Sequence, residues 1–181
     1  GFTLAALTGS ASNSVNERKD ILHAADLSYN GFDYIKLGTT FASNKPDIET
    51  IARTTLTSFR IQPSYWNFDG YAEYGFKGNK DVQSQIFNND EWKIGEAFYG
   101  SLNFYYDAFS IVGEYKYYDN FAFTSNDGTI FYNTSPSLRK EYTYQLLNRH
   151  PSPLDQSNEE GCAVEVNYNF SDETAITANY G

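Results

Sequence analysis

From Tyr65 to Lys77, every second position is apolar or small: Trp66, Phe68, Gly70, Ala72, Tyr74 and Phe76. Between them stand Tyr65, Asn67, Asp69, Tyr71, Glu73, Gly75 and Lys77. A strand sends successive side chains to opposite faces, so this spacing predicts one apolar face and one polar, charged face. An amphipathic helix would need apolar residues three and four apart, and no stretch of three turns supplies them.

The split recurs. Phe98, Gly100, Leu102, Phe104 and Tyr106 share a face, opposite Tyr99, Ser101, Asn103 and Tyr105. After a short turn near Asp107 and Ala108 come Phe109, Ile111, Gly113, Tyr115 and Tyr117, with Ser110, Val112, Glu114 and Lys116 opposed. Cys162, Val164, Val166, Tyr168 and Phe170 repeat it, and Ile176, Ala178 and Tyr180 resume it after Ser171-Asp172-Glu173. These are hairpins. Asn30-Gly31 predicts another between Ala24–Tyr29 and Phe32–Phe41, because both residues tolerate positive φ, and Asn126-Asp127-Gly128 predicts a further turn. About ten strands result, joined alternately by tight turns and by longer polar stretches. The longer stretches are Ser10–Asp20, Asn44–Thr50, Gly78–Asp90, Thr124–Ser137 and His150–Glu160. Leu138–Arg149 fits either period.

Short turns at one end, long connections at the other and an apolar face edged with Tyr, Trp and Phe are the pattern of an all-β, antiparallel up-and-down transmembrane β-barrel. In lipid only helices and closed barrels satisfy every backbone group. A soluble β-sandwich also alternates. Three features favour the barrel. The strands exceed the usual five or six residues, Tyr gathers at strand ends as in an interfacial girdle, and Gly and Ala recur on the apolar face. The 181 residues suit one domain, residues 1–181. A net charge of −10 argues against nucleic acid, which needs a basic face. The 16 Tyr and 14 Phe argue against disorder.

The run Tyr118-Asp119-Asn120-Phe121-Ala122-Phe123, then Tyr132-Asn133 and Leu138-Arg139-Lys140-Glu141-Tyr142-Thr143-Tyr144, resembles the DUF6029 family of uncharacterised Bacteroidetes-type proteins. So do Asn158-Glu159-Glu160-Gly161, Val164–Phe170 and the closing Ala178-Asn179-Tyr180-Gly181. The similarity is best from Glu96 to Gly181. It implies an outer-membrane β-barrel longer than this chain, with no functional residues to carry over. An incomplete portion of a larger barrel is therefore expected.

Chemistry finds little footing. His150 has no second His nearby to share a metal, and His23, within a strand, reads as a polar side chain facing a lumen or girdle. Asp69 and Glu73 share a face but stand about 13 Å apart along a strand, too far for a glycosidase pair. The acidic Asn88-Asn89-Asp90-Glu91 lacks the ligand spacing of a calcium loop. Cys162 reads as a small hydrophobe. No catalysis and no cofactor are expected. Tyr65, Tyr71, Tyr99 and Tyr105 could stack on a solute or plug a narrow lumen.

The expected function is an outer-membrane barrel with a polar, acidic lumen, structural or porin-like, lined by Asp69, Tyr71, Glu73, Glu114, Lys116 and Glu165. Its partners would be outer-membrane lipid and, through the long connections, other envelope proteins. The alternatives are a secreted or surface β-sandwich that binds glycans through aromatic side chains, and a barrel subunit of a cell-envelope assembly. If Phe68 faces mid-bilayer lipid, Phe68→Lys should cost about 2–4 kcal/mol and Glu73→Leu much less.

Overall fold

The computed structural model describes residues 1–12, 19–46, 53–79, 93–125, 130–133, 138, 158–171 and 174–181. Among the described residues, nine strands follow one another in chain order and in space. They are β1 (Phe2–Ser12), β2 (Lys19–Tyr29), β3 (Ile35–Pro46), β4 (Thr54–Tyr65), β5 (Phe68–Asn79), β6 (Lys93–Tyr106), β7 (Phe109–Asp119), β8 (Asn158–Ser171) and β9 (Thr174–Tyr180). Each neighbouring pair is antiparallel, so the sheet is one up-and-down meander. Eight of the nine strands run 11 to 14 residues, the length the alternation implied.

The sheet is open. Eight strands suffice to close a barrel, yet β1 pairs with β2 and β9 with β8, and no described pairing joins β1 to β9. The all-β, antiparallel, up-and-down expectation holds, and the closed barrel is not formed by these strands. No second sheet lies on either face among the described residues.

Two local readings are corrected. Tyr65–Lys77 is not one strand: Tyr65 pairs with Phe68 across a turn at Trp66 and Asn67, and Trp66 adopts a φ of 53°. A bulky aromatic in that left-handed region is rare, so turn chemistry gave no warning. Asn30-Gly31 does not form a two-residue hairpin either. Five residues separate Tyr29 from Ile35, and Asn30 donates its backbone N–H to Gly1 O at 2.9 Å. Gly31 serves for close approach instead, since a Cβ there would run into the Tyr29 ring. Asn126-Asp127-Gly128 lies outside the described residues, but Thr124 bridges Phe131 on either side of it. Of Leu138–Arg149 only Leu138 is described, and His150 and Asn88-Asn89-Asp90-Glu91 also fall outside.

The pairing register sorts the side chains into two faces, because directly opposed residues share a face. One is apolar. The row Phe68, Phe104, Ile111, Val166 and Ala178 crosses it through successive pairings, and Phe2, Leu4, Leu27, Leu37, Phe59 and Ile61 extend it. This face is bare: Phe2, Leu4, Phe59, Leu102, Ile176 and Tyr180 are each more than half exposed. Exposed Cys162 lies on it, opposite Tyr115. Aromatic residues bound it at the short-turn end, where Tyr34 meets Tyr65 edge-on at 5.0 Å and Phe68 meets Phe104 at 4.7 Å. Toward the long-connection end it turns polar at Ser10, Lys19, Ser43, Lys45, Glu96, Asp119 and Glu160. His23 stands in that polar margin, on this face and not on the opposite one, and lies 3.2 Å from Thr8 Oγ1 through Nδ1. The apolar row of β6, from Phe98 to Tyr106, advances eight residues, about 26 Å of strand.

Candidate functional site on the polar face

The opposite face carries Asp20, Asp26, Asp69, Glu73, Glu114, Glu159 and Glu165 against Lys36, Arg60, Lys77 and Lys116. Acidic groups outnumber basic ones. A sheet surface with such a composition is stable in water and prohibitive in hydrocarbon.

The expected lining residues, Asp69, Tyr71, Glu73, Glu114, Lys116 and Glu165, all lie on this face. They do not converge on one point. Ser64 Oγ donates to Asp69 Oδ1 at 2.5 Å beside the Trp66 turn. Tyr71 donates its hydroxyl to Glu73 on the same strand, and Tyr99 donates to Glu114 Oε1 at 2.6 Å across β6 and β7. The two rings lie 5.9 Å apart, tilted by 52°, and form an amphipathic ladder with hydroxyl ends on carboxylates. Lys116, only 3% exposed, pairs with Glu159 Oε1 at 2.6 Å. Asn167 Nδ2 donates to Glu165 Oε1 at 2.9 Å. Every carboxylate in this set therefore receives a donor, and the face is a built hydrogen-bonding surface rather than a scatter of solvated charges.

Sequence reasoning missed the strongest ion pair. Arg60 on β4 grips Asp26 on β2 with both ends of its guanidinium, Nη1 to Oδ2 at 2.5 Å and Nη2 to Oδ1 at 2.7 Å. Thr40 on the intervening β3 accepts from Nη1 at 2.8 Å and donates to Asp26 Oδ2 at 2.7 Å. Gly38, opposite Arg60, leaves the lane over β3 clear. Arg60 also stands directly opposite Glu73, so the pair continues into the Tyr71 and Tyr99 ladder.

A second arrangement was also missed. After β7 the chain turns at Asn120, whose φ is 47°, and folds back over the polar face. Lys77, only 8% exposed, donates Nζ to Ala122 O at 3.0 Å. The Phe121 ring lies over Gly75, where a Cβ would come within 2.7 Å of it. Asn44 Nδ2 donates to Thr124 O at 3.1 Å and to Asp20 Oδ2 at 3.0 Å, and Tyr132 donates its hydroxyl to Asp20 Oδ2 at 3.1 Å. The alternating strands made the face legible; nothing local marked Asn120–Ser125 as its cover.

No group of three or more His, Cys, Asp or Glu side chains able to hold a metal occurs among the described residues. No described helix is long and apolar enough to cross a membrane, which leaves strand-built spanning unaddressed.

Residues 1–181 match DUF6029, a family of unknown function. The chain belongs to DUF6029. The match runs through the first half as well as the Glu96–Gly181 portion in which the resemblance was strongest. The DUF6029 chain matches no curated protein and no solved structure. The polar face, with its Arg60–Asp26 pair and its tyrosine–carboxylate ladder, is thus what the DUF6029 sheet itself offers as a site.

Proposed function

We propose that this DUF6029 chain is the wall of an outer-membrane β-barrel in a Gram-negative cell, with its apolar face against lipid and its polar face toward a water-filled interior. The observation that carries the reading is the bare apolar face. An exposed continuous apolar surface of this breadth on one side of a sheet needs a cover, and here it is banded. Aromatic residues mark its lower edge, small and aliphatic residues its middle, and polar residues its upper edge, as in a lipid-facing strand array. The length of that band, about 26 Å of strand before tilt, is of the order of the apolar belt of such barrels. The acidic excess on the other face suits passive passage of cations or small polar solutes. Outer-membrane lipid is then the principal partner, and the long connections are the surface available to other envelope proteins.

The test is the behaviour of the full-length protein in its own membranes. After an alkaline wash it should stay in the pellet and dissolve only in detergent. Release into the supernatant would end the membrane reading and favour a surface protein whose apolar face is covered by another chain. For the detergent-solubilised protein in planar bilayers, stepwise conductance with a reversal potential on the cation side is the expected result.

A further inference from the structure

Among the described residues, the dry part of this protein is on the wrong side for a soluble sheet. Apart from Ser43, buried in the polar margin of the other face, the buried residues, among them Ala97, Tyr118, Phe123, Asp20, Asn44, Lys77 and Ser125, lie on the polar face or in the segment folded over it. That segment has two arms. Asn120–Ser125 runs out across the sheet and Ile130–Asn133 accompanies it, joined by the Thr124–Phe131 bridge. Ser125 N donates to Ile130 O and Tyr132 N to Phe123 O, both at 2.8 Å. Asn133 clips the arms together, accepting from Phe123 N at 2.8 Å and donating to Phe121 O at 3.1 Å.

The arms are also fixed at both sides of the sheet. Near β7, Asn120 Nδ2 donates to Ile94 O at 2.6 Å. At the far side Tyr132 reaches Asp20 on β2, five strands from β7 and about 24 Å away along a flat sheet. In between, Lys77 and Asn44 each spend a polar side chain, buried to 8% and 2% exposure, on carbonyls of the segment. A connection that merely drifted in water would not draw a buried ammonium and a buried amide donor from two separate strands, since burying such groups is costly unless their partners hold still.

We infer that Asn120–Ser125 and Ile130–Asn133 form a fixed strap across the polar face at the long-connection end, which excludes water from the Gly75–Ala97 row and sets the width of the path beside it. The cover stands on the contacts alone, and the narrowing of a path rests on the function proposed above. Solutes approaching from the short-turn end meet the open Tyr71–Tyr99 ladder first and the strap second.

The experiment uses the full-length protein in detergent micelles with Cys162→Ser and one new cysteine, at Ala97 beneath the strap or at Ser101 beyond it on the same face. A bulky water-soluble maleimide should modify Ala97→Cys at least tenfold more slowly than Ser101→Cys. Adding Lys77→Met, Asn44→Ala and Tyr132→Phe should raise the Ala97→Cys rate about tenfold and leave Ser101→Cys unchanged, which also certifies the fold. Phe121→Ala alone should give a smaller rise in the same direction, so the inference does not depend on the triple variant folding. Equal rates at the two cysteines with the anchors intact would overturn the strap, and so would an Ala97→Cys rate that neither set of substitutions moves. Conductance separates the two readings. A release-dependent thiol rate without conductance in either protein removes solute passage and keeps the strap, whereas unchanged thiol rates with equal conductance keep passage and remove the strap.

Discussion

Arg60 reaches across an entire strand to hold Asp26, and it does so over Gly38. The guanidinium bonds to both carboxylate oxygens, at 2.5 and 2.7 Å, with Thr40 tied into the same cluster. The glycine matters because a Cβ at position 38 would stand within 2.5 Å of Arg60 Cζ. Gly38→Ala should therefore displace the guanidinium and lower stability by about 1 kcal/mol, the scale of a partly exposed but bidentate pair. In a double-mutant cycle the cost should vanish once Asp26→Asn has already broken the pair. Denaturant unfolding of the four proteins measures it, and simple additivity would mean that Gly38 does something else.

The face assignment has a depth as well as a side. Phe68 follows the Trp66 turn directly, so it stands at the edge of the apolar band and not at its middle. Leu102 and Val164, paired through Gly113, occupy the middle. Val164→Lys should cost about 2–4 kcal/mol of assembly in lipid, and Phe68→Lys about 0–1 kcal/mol, because the penalty for a charge falls toward the interface. Glu73→Leu, on the polar face, should be milder than Val164→Lys. Folding yield into vesicles reads all three, and equal tolerance of Val164→Lys and Glu73→Leu would end the assignment of faces.

Glu73 and Glu114 take hydrogen bonds from Tyr71 and Tyr99, donors that leave the carboxylate charge in place. Glu73→Gln with Glu114→Gln should move the reversal potential in a salt gradient toward zero, with single-channel conductance in potassium chloride reduced. A reversal potential unmoved by both substitutions would place the selectivity elsewhere.

Cys162 offers a probe that needs no substitution. It is exposed on the apolar face opposite Tyr115. In lipid vesicles it should resist a membrane-impermeant maleimide, yet react with a lipid-soluble one, and both should label it in denaturant. Rapid labelling by the impermeant reagent in vesicles would contradict lipid contact at that position.

The faces were legible in the sequence and the connections between them were not, for a physical reason. Alternation is a property of each strand alone, so Phe98 to Tyr106 and Phe109 to Tyr117 declared their apolar sides without help from neighbours. Turns were legible only when their chemistry was ordinary. Trp66 in the left-handed region hid one, and Asn30-Gly31 advertised a tight hairpin where a five-residue loop stands. Asp26 and Arg60 are 34 residues apart with a long connection between β3 and β4, so no local signal fixed the register that brings them together. The strap was illegible for the same reason, since Asn120 and Tyr132 find partners on β2, β5 and β6.

The two outer strands impose an order on assembly. Along the outer side of β1, and of β9, the N–H and C=O of every second residue point away from the sheet, and no described strand receives them. In water each is hydrated at little cost, but in hydrocarbon each such group costs several kcal/mol. On the membrane reading proposed above, both edges would therefore have to meet partner strands before the wall enters the bilayer, which would make edge pairing the committing step of insertion.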